Sequence, residues 1–121
     1  MLDQALKEFI EEQLASLGPV TVRRMFGGGG IFLDGLMFGL IIDDRLYFKV
    51  DDANRPAFEA EGQQPFAYAK SNGRTTVMSF WTAPERLLDE PDDLVAWARG
   101  AWAVARRAKS KARKTPKRRS R

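Results

Sequence analysis

The sequence has neither cysteine nor histidine among its 121 residues. The absence of cysteine excludes a disulfide framework, a thiolate nucleophile and a cysteine-ligated metal site. The absence of histidine removes the usual general base near neutral pH and the commonest transition-metal ligand. No carboxylate or lysine pair stands out in their place. We therefore predict that the protein is not an enzyme and has no catalytic, cofactor-binding or metal-binding residues.

Long apolar runs are also absent. The longest, Leu36 to Ile42, is too short to cross a membrane. Charged residues interrupt the N-terminal stretch, which predicts an amphipathic helix and not a signal peptide. We expect a cytoplasmic protein with no membrane partner. A chain of this length buries enough surface to fold as one domain without a disulfide or a metal.

Basic residues are concentrated at the C-terminus. Ten of the 20 lysines and arginines lie in residues 106–121, which contain no acid. Residues 1–105 therefore carry ten basic residues against all 16 acids, a formal charge of −6. This asymmetry predicts a folded domain over residues 1–107 and a basic, disordered tail over residues 108–121.

The basic segment is a candidate for non-specific, salt-sensitive attraction to nucleic acid. Sequence reading is not expected, because no aromatic residues are interleaved for base stacking. The alternative is an extension that only increases solubility. The candidate nucleic-acid-binding residues are Arg106, Arg107, Lys109, Lys111, Arg113, Lys114, Lys117, Arg118, Arg119 and Arg121.

Hydrophobic periodicity predicts the order helix, four strands, helix, two strands, helix. The helices are expected near residues 3–17, 53–61 and 91–107, and the strands near 20–26, 31–33, 36–42, 45–50, 66–70 and 74–81. Short connections between strands imply antiparallel pairing, and one sheet with helices packed on it gives a two-layer α+β fold. The last helix is expected to bury one apolar side, and the three tryptophans are expected to pack in the core.

Turn and cap signals refine this prediction. Asp34-Gly35 indicates a type I′ hairpin, Asp43-Asp44 a second turn, and Thr82 with Glu85 a capping box. The acidic residues at turns and helix starts are explained by capping and the helix dipole, without a metal. Leu36 to Ile42 is apolar at successive positions, which predicts burial on both faces. Helices would cover one face, and either the C-terminal helix or another subunit would cover the second.

Residues 23–32 read Arg-Arg-Met-Phe-Gly-Gly-Gly-Gly-Ile-Phe. We interpret the glycines as a tight bend between two strands, with a bulge or a close backbone approach as the alternatives. A phosphate-binding loop is disfavoured, because the glycines lead into a predicted strand and no Lys-Ser/Thr pair comes after them. By alternation Arg24 shares the face of Val20 and Val22, where it would need a partner unless the strand bulges or ends before it.

This segment contains the Arg-x-Met-Phe-Gly-Gly pattern, and further matches extend through Asp34-Gly35-Leu36-Met37-Phe38, residues 44–50 and Met78-Ser79-Phe80-Trp81. On these residues the sequence resembles the TfoX/Sxy N-terminal domain family over roughly residues 5–107. The family-motif residues in this chain are Arg24, Met25, Phe26, Gly27, Gly28 and Gly30.

The resemblance implies a two-layer α+β domain similar to the secretion-chaperone-like fold, with no catalytic residues. The best-known members of the family regulate natural competence as coactivators with the cyclic AMP receptor protein. They usually carry a second, helical C-terminal domain, where this sequence has the basic segment. We therefore expect a regulatory interaction domain that binds a protein, such as the transcription machinery, with added DNA affinity from the tail. The alternative is a chaperone-like or scaffold protein, with a protein partner or as a homodimer, and without a nucleic-acid role.

Overall fold

The computed structural model describes residues 2–25, 27–69 and 75–114. The chain begins with α1, and four strands come next. After α2 come two more strands, a 3-10 turn at Glu85–Asp89 and the long helix α3. The elements are α1 Gln4–Gln13, β1 Thr21–Met25, β2 Gly28–Leu33, β3 Leu36–Ile42, β4 Arg45–Lys49, α2 Arg55–Ala60, β5 Pro65–Ala69, β6 Thr75–Thr82 and α3 Pro91–Lys114.

The strands form one sheet in the order β1-β2-β3-β4-β6-β5, and all neighbouring pairs are antiparallel. This confirms the predicted α+β fold and its order of helices and strands. The division into a folded domain over residues 1–107 and a separate tail over residues 108–121 stays a prediction. No helix within the described ranges is both long and apolar enough to cross a membrane.

The main core lies between the helices and one face of the sheet. Phe48 in β4 is fully buried and stacks on Phe38 in β3 with 6.4 Å between ring centroids. Helix α1 contributes Ile10, and α2 contributes Phe58. Helix α3 contributes its small and aliphatic residues at helical spacing, namely Leu94, Ala98, Ala101 and Ala105. None of the described residues that are buried is polar or charged.

The three tryptophans pack against this core, as predicted. Trp97 meets Phe58 edge-on at 4.7 Å between ring centroids. Trp102 donates its indole N–H to the carbonyl oxygen of Leu33 at 3.2 Å, which fixes α3 to the end of β2. Buried indoles need such an acceptor, and a strand end supplies one.

The predicted glycine bend is wrong in part. Gly27, with φ of +76°, lies in the turn between β1 and β2, but Gly28, Gly29 and Gly30 are paired residues of β2. A Cβ on Gly28 would run directly into the carbonyl oxygen of Ile41 on the neighbouring strand. Close backbone approach within the sheet, and not a bend, therefore explains the glycine at this position.

Two other predictions require correction. Thr82 does not cap a helix, because it ends β6, where its hydroxyl donates to the Gln63 side chain at 2.7 Å and accepts from the Gln64 N–H at 3.1 Å. Helix α3 does not end near Arg107 but continues to Lys114. Alanine, lysine and arginine are strong helix formers, and cations near a helix C-terminus interact favourably with its dipole.

Both predicted hairpin turns are present. Asp34 and Gly35 have φ of +53° and +76°, the positive values that a type I′ turn requires at both central positions. Asp43 and Asp44 occupy the same region at +52° and +61°. The strand pairs Leu33 with Leu36 and Ile42 with Arg45 close directly on these turns.

Candidate interaction surface

The face of the sheet that points away from the main core is also apolar, and we call it the outer face. Leu40 and Phe80 on this face are only 7% and 4% exposed, yet neither belongs to the main core cluster. Among the residues whose side chains the structure describes, the apolar residues of the outer face are Met25, Phe32, Met37, Leu40, Ile42, Tyr47, Phe66 and Phe80. All but Leu40 and Phe80 are half-buried.

The family motif contributes to one end of the outer face. The side chains of Met25, Met37 and Phe32 converge over Gly30, so that a Cβ there would lie 2.5 Å from Met25 Sδ and 2.9 Å from Met37 Sδ. The guanidinium carbon of Arg23 lies 4.6 Å from the centroid of the Phe32 ring. Methionine is flexible and polarisable, and it adapts to varied partners on binding surfaces.

The opposite end of the outer face is aromatic. Tyr47 meets Phe66 edge-on at 5.4 Å between ring centroids. The Lys49 ammonium lies 4.9 Å from the centroid of the Phe80 ring and donates to Ser79 Oγ at 3.2 Å. Burial lowers the pKa of Lys49, and the nearby Asp51 carboxylate opposes that shift.

The charge on the strands has one sign. The six strands contain four basic residues and no acidic residue. Arg23, Arg45 and Lys49 occupy outward positions, and no ion pair joins any of them to a carboxylate within the described ranges. The outer face is thus basic, although residues 1–105 as a whole carry a formal charge of −6.

The fourth strand cation, Arg24, lies on the helix side at the sheet edge. As predicted, its position requires partners, and it donates to the Leu2 carbonyl oxygen at 3.0 Å and to Gln4 Oε1 at 2.7 Å. Nearby, the Glu11 carboxylate accepts the outward N–H of Val22 at 2.9 Å, and this hydrogen bond lowers the pKa of Glu11. Together these contacts tie α1 to the edge strand β1.

Six of the ten basic residues predicted to bind nucleic acid lie along the end of α3. Arg106, Lys109 and Lys111 are exposed, and the Arg106 guanidinium carbon lies 5.0 Å from the centroid of the Trp102 ring. Arg107 instead forms a forked ion pair with Asp51, at 2.9 and 3.0 Å. That pair lowers the pKa of Asp51 and fastens α3 to the loop after β4.

The structure brings only part of the predicted set together. Arg113 and Lys114 continue α3, so we call residues 106–114 the basic end of α3. The other four predicted basic residues lie outside the described residues, namely Lys117, Arg118, Arg119 and Arg121. Phe26 of the family motif also lies outside them.

Several acids on the helix side surround one arginine. Arg86 in the 3-10 turn forms ion pairs with Glu61, with Glu90 at 2.8 Å and with Asp93 at 2.8 Å. Its pKa is raised and that of Glu61 is lowered by their mutual hydrogen bonds. Within residues 2–25, 27–69 and 75–114, no three carboxylates converge as a metal site would require.

Sequence reasoning missed most of the outer face. It assigns Phe32, Met37 and Tyr47 only to strands, and it does not single out Arg45 and Lys49. A usable signal exists, because the strand segments contain basic residues while the acids fall between them. The unbroken apolar character of β3 correctly indicates burial on both faces, but it does not reveal half-burial across several strands.

Comparisons with known proteins agree with the motif. The sequence matches the TfoX N-terminal domain family over residues 12–105. It is 35% identical over 75 residues to the DNA transformation protein TfoX1 of Aliivibrio fischeri (strain ATCC 700601 / ES114). That match covers 62% of this chain and 36% of the relative, so the chain spans well under half of that protein. The family match covers most of the chain, and the protein therefore belongs to the TfoX N-terminal domain family.

Proposed function

We propose that this protein is a non-enzymatic regulatory module that binds a protein through its folded body and binds DNA non-specifically through the basic end of α3. The observation that carries the proposal is the combination of TfoX N-terminal domain membership with a helix whose last turns are basic. The relative is named for DNA transformation, and a regulatory role in DNA transformation is what we carry over to this chain.

The basic end of α3 is suited to phosphate contacts. Helix α3 extends beyond the main core, and Arg106, Lys109 and Lys111 are exposed on this extension. Their side chains can contact the phosphates of DNA without disturbing the packing of the main core. Contacts with phosphates release counterions, which makes the affinity strongly dependent on salt. Arg107 has a structural part in this arrangement, because its pair with Asp51 holds the base of the basic end.

The test is the salt dependence of duplex DNA binding by the full chain. Replacing Lys109, Lys111, Arg113 and Lys114 with Gln removes four charges from the basic end of α3. We expect the magnitude of the slope of log K against log salt to fall by about 3.6, since each of the four lost phosphate contacts contributes about 0.9.

The matched control replaces Arg23, Arg45, Arg55 and Arg99 with Gln, which removes the same charge elsewhere. This control should retain most of the slope. An equal reduction of the slope in both variants would indicate that DNA binding responds only to net charge, and it would contradict the proposal.

A second candidate function is a scaffold that binds a protein without any nucleic-acid role. The half-buried apolar outer face favours it. Affinity purification from the native cell, with and without nuclease, separates partners that the protein binds directly from partners bridged by DNA. Partners that remain after nuclease treatment, for a protein that shows no salt-dependent binding of duplex DNA, would support the scaffold function.

A further inference from the structure

The outer face combines apolar surface with charge of one sign. The strand register places Arg23, Gly30, Leu40 and Tyr47 in one row across β1 to β4. Phe32 and Met37 form part of a second row, and Ile42 pairs with Arg45 in a third. Cations thus lie at both sides of an apolar centre. A surface of this kind is complementary to a ligand with both apolar side chains and carboxylates.

A second copy of this chain is a poor occupant. In a two-fold dimer that joined outer face to outer face, each patch would contact its own counterpart. Arg23, Arg45 and Lys49 of each copy would then face a surface whose strands also carry only cations, with no strand carboxylate available to pair with them. Like charges brought together at an interface disfavour association.

A single-stranded nucleic acid also fits poorly. Base stacking needs open aromatic faces. The Arg23 guanidinium already lies over the Phe32 ring, and the Lys49 ammonium lies over the ring of Phe80, which is 4% exposed. The remaining surface includes aliphatic and thioether groups, from Ile42 and the methionines, and such groups pack against apolar side chains.

We propose that the outer face binds an acidic segment of a partner protein that carries apolar anchor residues. The anchors pack on Met25, Phe32 and Met37, and the carboxylates pair with Arg23 and Arg45. The proposal rests on the protein-binding part of the proposed function and gives that part a surface and a partner chemistry. It is independent of the basic end of α3, which lies on the helix side of the sheet.

The experiment begins with a displayed library of random 12-residue peptides selected against the full chain. We expect the enriched peptides to be rich in aspartate, glutamate and large apolar residues. Fluorescence anisotropy then measures the Kd of the best peptide for four proteins: the wild type, the double variant Arg23→Glu with Arg45→Glu, the control Arg55→Glu with Arg99→Glu, and Phe32→Ala.

We expect the outer-face double variant to weaken binding at least tenfold and the control, with the same change of net charge, to weaken it less than threefold. Arg23 and Arg45 are exposed, so the double variant should fold, and circular dichroism checks this. Enrichment of basic or purely apolar peptides would overturn the proposal. Equal weakening in both double variants would overturn it as well.

Two further measurements distinguish this proposal from binding of nucleic acid and from dimer formation. Tighter binding of a 12-residue oligothymidine than of the best peptide, lost in Phe32→Ala, would overturn the proposal in favour of nucleic acid. Self-association seen by light scattering and abolished by Arg23→Glu with Arg45→Glu would overturn it in favour of a dimer. The four-glutamine variant of the basic end of α3 should still bind the peptide, so failure of the DNA proposal is distinguishable from failure of this one.

Discussion

The two faces of the sheet are both apolar but differ in burial and charge. The helix-covered face contains Phe48 and Ile31 at 0% exposure and no buried charge among the described residues. The outer face contains half-buried residues such as Phe32 and Tyr47, and cations lie over its Phe32 and Phe80 rings. The first face therefore holds the domain together, whereas the second is the surface that we propose for binding another molecule.

The largest expected effect is the difference in folding stability between a substitution in the main core and one on the outer face. Phe48→Ala should lower the free energy of unfolding by about 3–5 kcal/mol, because it leaves a cavity in the main core. Phe32→Ala should cost about 1 kcal/mol, because the ring is only half-buried and loses one cation–π contact. Urea denaturation of both variants measures the difference, and equal losses would show that the outer face is part of the folding core.

Two glycines of β2 allow rigid and adaptable surroundings to be compared within one strand. Gly28→Ala should cost about 2 kcal/mol or more, because the new methyl group meets the Ile41 carbonyl oxygen and the backbone must move. Gly30→Ala should cost less, because its methyl group meets the flexible ends of Met25 and Met37 on the outer face. Thermal denaturation of the two variants tests the order, and a greater loss at Gly30 would contradict it.

The smallest expected effect concerns the contact between α1 and the edge of the sheet. Val22 lowers the pKa of Glu11 through its N–H, so the ionised carboxylate stabilises the folded state at pH values above the unfolded pKa. That contribution is lost as pH falls through the lowered, folded-state pKa. Glu11→Gln should therefore cost about 1 kcal/mol at pH 7 and progressively less in acid.

Urea denaturation of wild type and Glu11→Gln between pH 7 and pH 3 measures this effect. Gln4→Ala, on the same helix, serves as the control, because it removes an uncharged side chain that contacts Arg24. A difference between wild type and Glu11→Gln that does not change with pH would show that the charge of Glu11 is irrelevant to the contact.

Much of the fold can be predicted from local patterns. The predicted bounds of β3 are correct, because a continuous apolar run is visible in the sequence itself. The turn at Asp34-Gly35 is also correct, because an Asp-Gly pair locally favours the positive φ values that the turn requires. The predicted start of α3 at Pro91 is also correct, since proline suits the first turn of a helix. The core role of the tryptophans is likewise indicated by their spacing.

The features that could not be predicted depend on contacts between strands. The register of β2 and β3 shifts between Ile31 and Phe32, so that Phe38 is an extra residue of β3 without a partner on β2. Beyond this bulge, the residues of β3 point to the opposite faces from those that strict alternation predicts. Strict alternation from Leu36 would therefore assign Leu40 to the helix-covered face, whereas it lies outside the main core. The tight approach of Gly28 to Ile41 also depends on this pairing, so the sequence alone does not distinguish a bend from a close backbone approach there.

The central claim is that the outer face binds an acidic, apolar segment while the opposite face only stabilises the domain. The most direct measurement is the Kd of the best selected peptide for Phe32→Ala, together with the free energy of unfolding of that variant. We expect at least tenfold weaker binding together with a loss of about 1 kcal/mol in the free energy of unfolding. Unchanged affinity in a folded Phe32→Ala protein would contradict it.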